Sequence, residues 1–204
     1  EFMVDDQEGV REPLGMSGNR LEVNVHVITG AVTSAQNIIK SVNRAGLDVV
    51  DIILQPLASS EAVLSAEERE LGVAMVDLGG GTTDLAIFLD GSIRHTAVLP
   101  IGGQNLTKDL AIGLLTSQTD AEKIKVQHGI ARTELVLGHE MVEVPSVGDR
   151  PPRQFTRRDI AEILEPRVEE MFELVKREIV RAGYEGMLGA GVVITGGTSL
   201  LEGM

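Results

Sequence analysis

Val73-Ala74-Met75-Val76-Asp77-Leu78-Gly79-Gly80-Gly81-Thr82-Thr83-Asp84-Leu85-Ala86-Ile87-Phe88-Leu89 is the stretch that decides the fold. An apolar strand runs here into an acid, three glycines and two hydroxyl side chains before a second apolar strand begins. Glycines let the backbone adopt positive φ and approach a ligand closely, so consecutive N–H groups can form a concavity that binds an anion. An ordinary hairpin turn carries one or two glycines with Asn or Asp, so the pattern favours a phosphate-binding loop. The residues predicted to bind phosphate are Asp77, Gly79, Gly80, Gly81, Thr82 and Thr83, and Asp77 is also the predicted magnesium ligand.

A second glycine cluster lies near the end of the sequence, in Gly191-Val192-Val193-Ile194-Thr195-Gly196-Gly197-Thr198-Ser199-Leu200-Leu201-Glu202-Gly203. A buried β-run ends there in small residues and leads toward a helix start. Such a corner is common in α/β proteins and is weak by itself. Together with the first loop it predicts a nucleotide site, with the backbone at Gly196, Gly197 and Thr198 close to a nucleoside or its phosphates.

Composition narrows the function classes. The 204 residues are 43% apolar, which is enough to bury a core in one or two domains. A net charge of −13 argues against nucleic-acid binding, because that affinity depends on Lys and Arg neutralising phosphates. The cation for a triphosphate would then come from magnesium. There is no cysteine, and we identify neither a signal peptide nor an apolar run long enough to span a membrane.

Hydrophobic periodicity predicts alternating strands and helices. Strands are predicted at residues 21–29, 49–54, 73–78, 85–89, 93–99, 132–137 and 141–147, the last two as a β-pair. Helices are predicted at residues 32–45, 57–64, 104–115 and 120–126. A long helix should follow a capping box formed by Thr156 and Asp159, and Gly183 should end it. Asp90-Gly91 is a two-residue hairpin turn.

Four arginines stand out in this acidic sequence: Arg150, Arg153, Arg157 and Arg158. Guanidinium groups suit carboxylates and peptide carbonyls, so this segment could receive an acidic, partly apolar peptide. The alternative is a solvated helix start, although cations there oppose the helix dipole by a few tenths of a kcal/mol.

Three further polar residues have a functional and a plain interpretation. Glu122 and Lys125 are three residues apart on one helix face, which by itself indicates only a surface ion pair. Gln55 precedes Pro56 at a helix entry, which is an ordinary place for a polar residue. Gln can also orient a water molecule without being a strong base.

The two glycine loops are similar to the second phosphate loop and the adenosine loop of the actin-like ATPase superfamily. Further runs along nearly the whole chain closely resemble the FtsA family of bacterial cell-division proteins. These runs are Asp6-Gln7-Glu8-Gly9-Val10, Gly15-Met16-Ser17-Gly18, Leu57-Ala58-Ser59-Ser60, Glu70-Leu71-Gly72-Val73, Asp120-Ala121-Glu122-Lys123-Ile124-Lys125 and Glu143-Val144-Pro145-Ser146-Val147-Gly148-Asp149-Arg150-Pro151-Pro152-Arg153.

The resemblance implies an actin-like (ribonuclease H-like) α/β fold, a mixed sheet with helices plus a small α/β insert. It implies an ATP- and Mg2+-binding scaffold, at most a weak ATPase, in which Gln55 orients the attacking water and Glu122 and Lys125 contact the ribose and base. It further implies filament formation, other division-protein partners, and capture of the C-terminal tail of FtsZ by the four arginines.

By the same resemblance the intact protein would be cytoplasmic, at the inner face of the cell membrane at the midcell septum, held there by a C-terminal helix that this sequence does not contain. Two alternatives share the fold. A sugar- or acetate-type kinase would need an aspartate base in a substrate pocket, and a chaperone ATPase would need a peptide-binding domain.

The expected domain organisation follows from the resemblance too, and we expect an internal fragment. Residues 1–2 are interpreted as a cloning remnant and residues 3–70 as a remnant of the first actin-like half. Residues 71–119 and 167–204 form the large subdomain of the second half, and residues 120–166 form the small insert. The first phosphate loop of the family is not found in the sequence.

Overall fold

A computed structural model describes residues 2–10, 12–148 and 150–204. Its strands are β1 (Phe2–Val4), β2 (Gln7–Val10), β3 (Leu21–Val23), β4 (Val73–Leu78), β5 (Thr83–Leu89), β6 (Ser92–Leu99), β7 (Met141–Val144), β8 (Arg153–Thr156) and β9 (Gly191–Thr195). Its α-helices are α1 (Val32–Arg44), α2 (Gln55–Val63), α3 (Ala66–Leu71), α4 (Gly103–Gly113), α5 (Gln118–His128) and α6 (Arg157–Arg181). Two short segments, Thr133–Leu135 and Gly197–Leu200, form 3-10 turns.

The central sheet is mixed, with strand order β6-β5-β4-β9. Strands β4, β5 and β6 form the predicted antiparallel meander, and β9 pairs with β4 in parallel. The turn between β5 and β6 has positive φ at both Asp90 and Gly91, 53° and 72°, which suits the right-handed twist of the two strands. Every residue of β4 is buried, so this strand is the centre of the fold.

The main core lies between this sheet and the helices α4, α5 and α6. One face of α6 is buried, for example at Ile160, Leu164 and Met171. The predicted capping box begins this helix: Thr156 N–H donates to Asp159 Oδ2 at 2.7 Å, and Asp159 N–H donates to Thr156 Oγ1 at 3.1 Å. Gly183 follows the helix with φ 82°, as expected of a glycine at a helix end.

The predicted pairing of residues 132–137 with residues 141–147 is wrong. Strand β7 pairs instead with β8, from Met141 opposite Thr156 to Val144 opposite Arg153. Residues 132–137 contain one of the 3-10 turns. Alternation in β7 buries Val142 and Val144, and this pattern specifies which face is buried but not which strand lies alongside.

Two other predicted strands are also wrong in extent. Only Leu21–Val23 of residues 21–29 forms a strand, paired with β1, and residues 49–54 form none. Val50 is 99% exposed. A strand requires a neighbouring strand for its backbone N–H and C=O groups. Among the described residues, the pairing of Leu21–Val23 with β1 is the strand pairing that these two segments make.

The first residues form a three-stranded sheet of order β2-β1-β3. Phe2, which we assigned with Glu1 to a cloning remnant, is part of this sheet and lies opposite Val10 and Val23. Glu1 is outside the described residues. Among the described residues, no helix is both long and apolar enough to cross a membrane.

A buried carboxylate joins α6 to the outer strand of the central sheet. The side chain of Glu178 is 9% exposed and accepts from His95 Nε2 at 2.8 Å. It also accepts from Arg181 Nη2 at 2.6 Å and Arg181 Nε at 2.8 Å. The hydrogen bonds from Arg181, and after them those from His95, hold the pKa of Glu178 below its ordinary value despite burial.

Glu178→Gln should therefore destabilise the fold at neutral pH, by about 1–3 kcal/mol, because the charge-assisted hydrogen bonds are lost in a buried place. A pKa that is lowered on folding contributes stability above the normal glutamate range, and this stability is lost as the pH falls through the folded-state pKa. The difference between the two proteins should therefore shrink in acid. Urea unfolding between pH 3 and 8 measures it, with the exposed Glu169→Gln on the same helix as control. A constant difference at all pH values would contradict the role of the charge.

Candidate functional site

Three backbone segments meet at one edge of the central sheet. Because β4 and β9 are parallel neighbours, the loops that follow them lie side by side. Thr198 Oγ1 donates to the carbonyl oxygen of Gly79 at 2.9 Å, which joins the two glycine loops. The start of α4 is the third segment: Gly103 N–H donates to the same Gly79 oxygen at 2.9 Å, and Gln104 N–H donates to the oxygen of Gly80 at 2.8 Å.

Gly79 is the crowded glycine of the first loop, since a Cβ there would lie 2.9 Å from the carbonyl oxygen of Thr82. None of Gly79, Gly80 and Gly81 has positive φ, so this part of the prediction is wrong. A Cβ on Gly80 would meet nothing within 4 Å. A Cβ on Gly102 would lie 2.7 Å from the Gly80 oxygen, so the loop and α4 approach as closely as backbones can.

Gly196, in contrast, does require glycine. Its φ is 88° with ψ 166°, a region that L side chains rarely adopt. A Cβ there would also lie 2.5 Å from Asp77 Oδ1 and 2.6 Å from the Leu78 carbonyl oxygen. The second loop can therefore pass behind the Asp77 carboxylate only because position 196 has no side chain.

These segments border a cavity of about 870 Å³. Five of the predicted nucleotide contacts line it: Gly80, Glu122, Lys125, Gly197 and Thr198. Its other lining residues include Gly103, Thr107, Gly129, Arg157, Leu201 and Glu202. The volume suits a ligand of the size of a nucleotide.

Lys125 lies at the centre of one wall with its ammonium group fully engaged. It donates to Gly103 O at 3.1 Å, to Thr107 Oγ1 at 2.9 Å and to Glu122 Oε2 at 2.8 Å. Burial is the largest influence on the Glu122 carboxyl and raises its pKa, but hydrogen bonds from Lys125 and Thr107 together lower it below the ordinary value. The Glu122 carboxyl is therefore ionised at neutral pH, and its hydrogen bond from Lys125 fixes both side chains in the wall.

The Asp77 carboxylate is at the end of β4, almost buried, and is held by α2. Its Oδ2 accepts from Gln55 Nε2 at 3.1 Å and from Ser59 Oγ at 3.0 Å. Gln55 and Ser59 are four residues apart on one helix face, so both reach the same oxygen. Ser59 was missed by the sequence analysis, although its spacing from Gln55 was a usable signal.

The two threonines of the first loop point in different directions. Thr82 Oγ1 donates to Asp84 Oδ2 at 3.2 Å, and the fully buried Thr83 donates to the carbonyl oxygen of Ile101 at 2.8 Å. Thr83 does not line the cavity. Burial raises the pKa of Asp84, and the neighbouring charge of Asp77 adds to this, against the hydrogen bond from Thr82. Asp84 is thus a second carboxylate beside Asp77 that the sequence analysis did not single out.

The residues near Asp77 fit magnesium only in its water-rich form. Among the described residues, no group of three or more His, Cys, Asp or Glu side chains could hold a metal ion. Magnesium usually keeps several waters and binds through one or two carboxylates plus substrate phosphates, so a carboxylate such as that of Asp77 beside the first glycine loop is compatible with it. Such an ion would need the phosphates to complete its ligand set.

The four predicted peptide-binding arginines make different contacts. Arg150 and Arg158 are exposed, and Arg158 Nε donates to Glu162 at 3.3 Å. Arg153 donates to the carbonyl oxygen of Leu114, and its guanidinium lies 5.2 Å from the ring centre of Phe155. Arg157 borders the cavity.

Comparison with known proteins identifies the family. A protein-family model described as "Cell division protein FtsA" matches residues 74–204. The chain belongs to the FtsA family. A second model, for the SHS2 domain inserted in FtsA, matches residues 1–29 and so includes the two residues interpreted as a cloning remnant. The predicted resemblance is confirmed.

Curated FtsA relatives align over the whole chain. FtsA of Pseudomonas aeruginosa is 56% identical over 203 residues, which are 100% of this chain and 49% of that protein. FtsA of Escherichia coli K12 is 46% identical over 211 residues, which are 100% of this chain and 50% of that protein. The chain therefore spans about half the length of the curated relatives that it matches.

Solved structures of actin-fold proteins confirm the predicted fold class. MreB5 of Spiroplasma citri bound to ADP has a TM-score of 0.61 at 20% identity, over 85% of this chain and 56% of that one. The ethanolamine utilization protein EutJ of Carboxydothermus hydrogenoformans has a TM-score of 0.62 at 27% identity, over 84% of this chain and 50% of that one. The predicted domain boundaries of this FtsA family member stay predictions, and the one at 166/167 falls within the helix α6.

Gly196→Ala should lower the stability of the fold by about 2 kcal/mol or more, because it adds strain at positive φ to a contact with Asp77. Gly197→Ala is the matched control, since position 197 has no positive φ and a Cβ there meets nothing within 4 Å. Thermal and urea unfolding of the two variants compare them. Equal stability of both would show that the second loop does not need glycine at position 196.

Proposed function

We propose that the intact protein carrying this sequence binds ATP with Mg2+ in the cavity and acts as a cell-division scaffold that polymerises and recruits FtsZ to the membrane at the septum. The observation that supports nucleotide binding best is the meeting of both glycine loops and the start of α4 around one cavity of about 870 Å³. The surface at Gly80 faces this cavity and has no side chain.

In this proposal the phosphates lie against the loop at Gly79, Gly80 and Gly81, where backbone can approach closely. The Glu122 carboxylate accepts from ribose hydroxyls, and the stem of Lys125 packs beside the base. Bound magnesium would supply charge for the phosphates, and Asp77 would hold its waters. Gln55 would orient a water toward the γ-phosphate.

The contacts of Gln55 fit a protein that hydrolyses ATP weakly at most. Its Nε2 donates to Asp77 Oδ2, so the atom that would accept from a water is Oε1. Amides accept protons poorly, so Gln55 could position a water but not deprotonate it efficiently. Such a site would therefore bind the nucleotide and hydrolyse it slowly at most.

The fold neighbours give limited support for the ligand. MreB5 of Spiroplasma citri, described bound to ADP and also to AMPPNP, shares the fold at 20% identity. A protein that shares this fold therefore can hold an adenine nucleotide. For this chain the ligand remains our proposal and depends on the cavity residues named above.

For the FtsZ tail, we propose the exposed arginines near the start of α6 as the receiving surface. Arg150 and Arg158 are exposed, whereas Arg153 and Arg157 are engaged with neighbouring parts of the chain. A flexible acidic peptide could exchange the single contact of Arg158 with Glu162 for its own carboxylates. The resulting affinity should be modest because ordering the peptide costs entropy.

Gly80→Val should abolish or strongly weaken ATP binding while the fold persists, because the new side chain enters the cavity and contacts no protein atom within 4 Å of its Cβ. Gly30→Val is the control: a Cβ at position 30 also meets nothing within 4 Å, and this residue does not line the cavity. Calorimetric titration of the intact protein with Mg-ATP tests both variants. An unchanged affinity of Gly80→Val for Mg-ATP would contradict the proposed position of the phosphates.

Arg150→Glu combined with Arg158→Glu should weaken binding of a labelled acidic FtsZ tail peptide at least tenfold, about 1.4 kcal/mol, if carboxylate pairing dominates. Added salt should also weaken binding of the peptide to the unmodified protein, because it screens the charges on both. Fluorescence anisotropy measures the affinity. Lys176→Glu with Arg177→Glu, exposed on the same helix, makes the same change in charge elsewhere. Equal losses in both double variants would indicate a net-charge effect and refute a local site.

A further inference from the structure

Arg157 lines the cavity and is held there by three neighbouring segments. It is the first residue of α6, and its backbone N–H donates to the carbonyl oxygen of Glu140 at 2.9 Å. Its Nε donates to the carbonyl oxygen of His128 at 3.1 Å, at the end of α5. The side chain is 20% exposed, so its position is restricted before any ligand is considered.

Glu202 reaches the same place from the other wall. Its carbonyl oxygen accepts from Ala131 N–H at 2.7 Å, which fixes the backbone after the second glycine loop. Its carboxylate accepts from Arg157 Nη2 at 2.5 Å. Both residues line the cavity, so this ion pair joins two walls that are 45 residues apart in sequence.

The pair lies away from Gly80 and the start of α4. Gly103, the first residue of α4, accepts from Lys125 Nζ at 3.1 Å. Along α5 the chain continues past Lys125 to His128, which contacts Arg157, and to Gly129, where a Cβ would lie 2.7 Å from Leu201. At 1.5 Å per residue, His128 is about 9 Å further along the helix axis than Glu122. With phosphates at the glycines and ribose at Glu122, the base would lie toward Arg157.

We propose that the Arg157–Glu202 ion pair is a latch across the base end of the cavity, and that it slows the dissociation of bound nucleotide. This inference rests on the proposed nucleotide function. Exposed ion pairs usually contribute little because two mobile side chains must be ordered. Here Arg157 is anchored at its backbone and at Nε, and Glu202 at its backbone, so less entropy is lost.

A bound base would strengthen the latch in turn. It would exclude water from the cavity side of the pair, and attraction between charges grows as the surrounding dielectric constant falls. A planar guanidinium is weakly hydrated and can lie against an aromatic ring. The other nearby carboxylate, on Glu140, is 3.8 Å from Arg157 Nη1 and is also 3.2 Å from His128 Nδ1, so Glu202 is the closer partner.

The test is a charge swap in the intact protein. Arg157→Glu, Glu202→Arg and the double variant are loaded with a fluorescent ATP analogue carrying N-methylanthraniloyl on its ribose, and dissociation is followed after an excess of unlabelled ATP is added. Each single variant should release the analogue about five- to tenfold faster, and the double variant should return to within about threefold of the parent rate. Arg177→Glu, an exposed residue of α6 outside the cavity, is the control.

A conservative variant separates the latch from folding. Glu202→Gln keeps the size of the side chain and removes its charge, so it should release the analogue faster with little change in thermal unfolding. A parent protein that binds no analogue would defeat the proposed function and the latch together. If the parent binds it but the single variants release it at the parent rate, or the swap restores nothing, the latch alone is refuted and the nucleotide site stands.

Discussion

The parallel pairing of β4 with β9 is the constraint on which the rest of the site depends. The register runs from Val73 opposite Gly191 to Asp77 opposite Thr195, so both strands end at the same edge of the sheet. The two loops that follow are therefore neighbours, and the Asp77 carboxylate lies directly against Gly196. Small residues in both loops are a consequence of this crowding, whatever ligand the cavity receives.

Asp77 also connects the sheet to the part of the chain that precedes it. One carboxylate oxygen accepts from two side chains of α2, which itself has few buried residues. In a place that is nearly closed to water, charge-assisted hydrogen bonds are stronger than neutral ones. Two side chains of α2 are thus tied to the sheet through one acid, which immediately precedes the loop at which phosphates are proposed to bind.

The meander β4-β5-β6 and the capped helix α6 were predictable because their signals are local: apolar runs, the Asp90-Gly91 turn, and a Thr and Asp three residues apart. The pairing of β7 with β8 was not, since it joins segments on either side of a loop and depends on tertiary contacts. The same reason explains why Ser59 was missed. The four-residue spacing places Ser59 on the same helix face as Gln55, but only the position of α2 beside Asp77 shows what that face contacts.

Some of the residues predicted to contact the nucleotide line the cavity and others do not. Gly80, Glu122, Lys125, Gly197 and Thr198 do line one cavity, because resemblance carries the spatial arrangement of distant motifs. Thr82 and Thr83 were treated alike, yet neither lines the cavity, because Thr82 donates to Asp84 and the buried Thr83 donates to the carbonyl oxygen of Ile101. The grouping of four arginines by sequence likewise concealed their different environments.

Helix α6 is bonded to other elements near both of its ends. It begins at the cavity with Arg157 and continues to Glu178, which is tied to β6 through His95. At 1.5 Å per residue these two anchor points are about 32 Å apart. Pro166 lies between them, where it removes one hydrogen bond of the helix and weakens that turn. The helix therefore bends more easily at Pro166 than elsewhere. A small tilt of its cavity end can be taken up at that turn while Glu178 keeps its contact with His95 of β6.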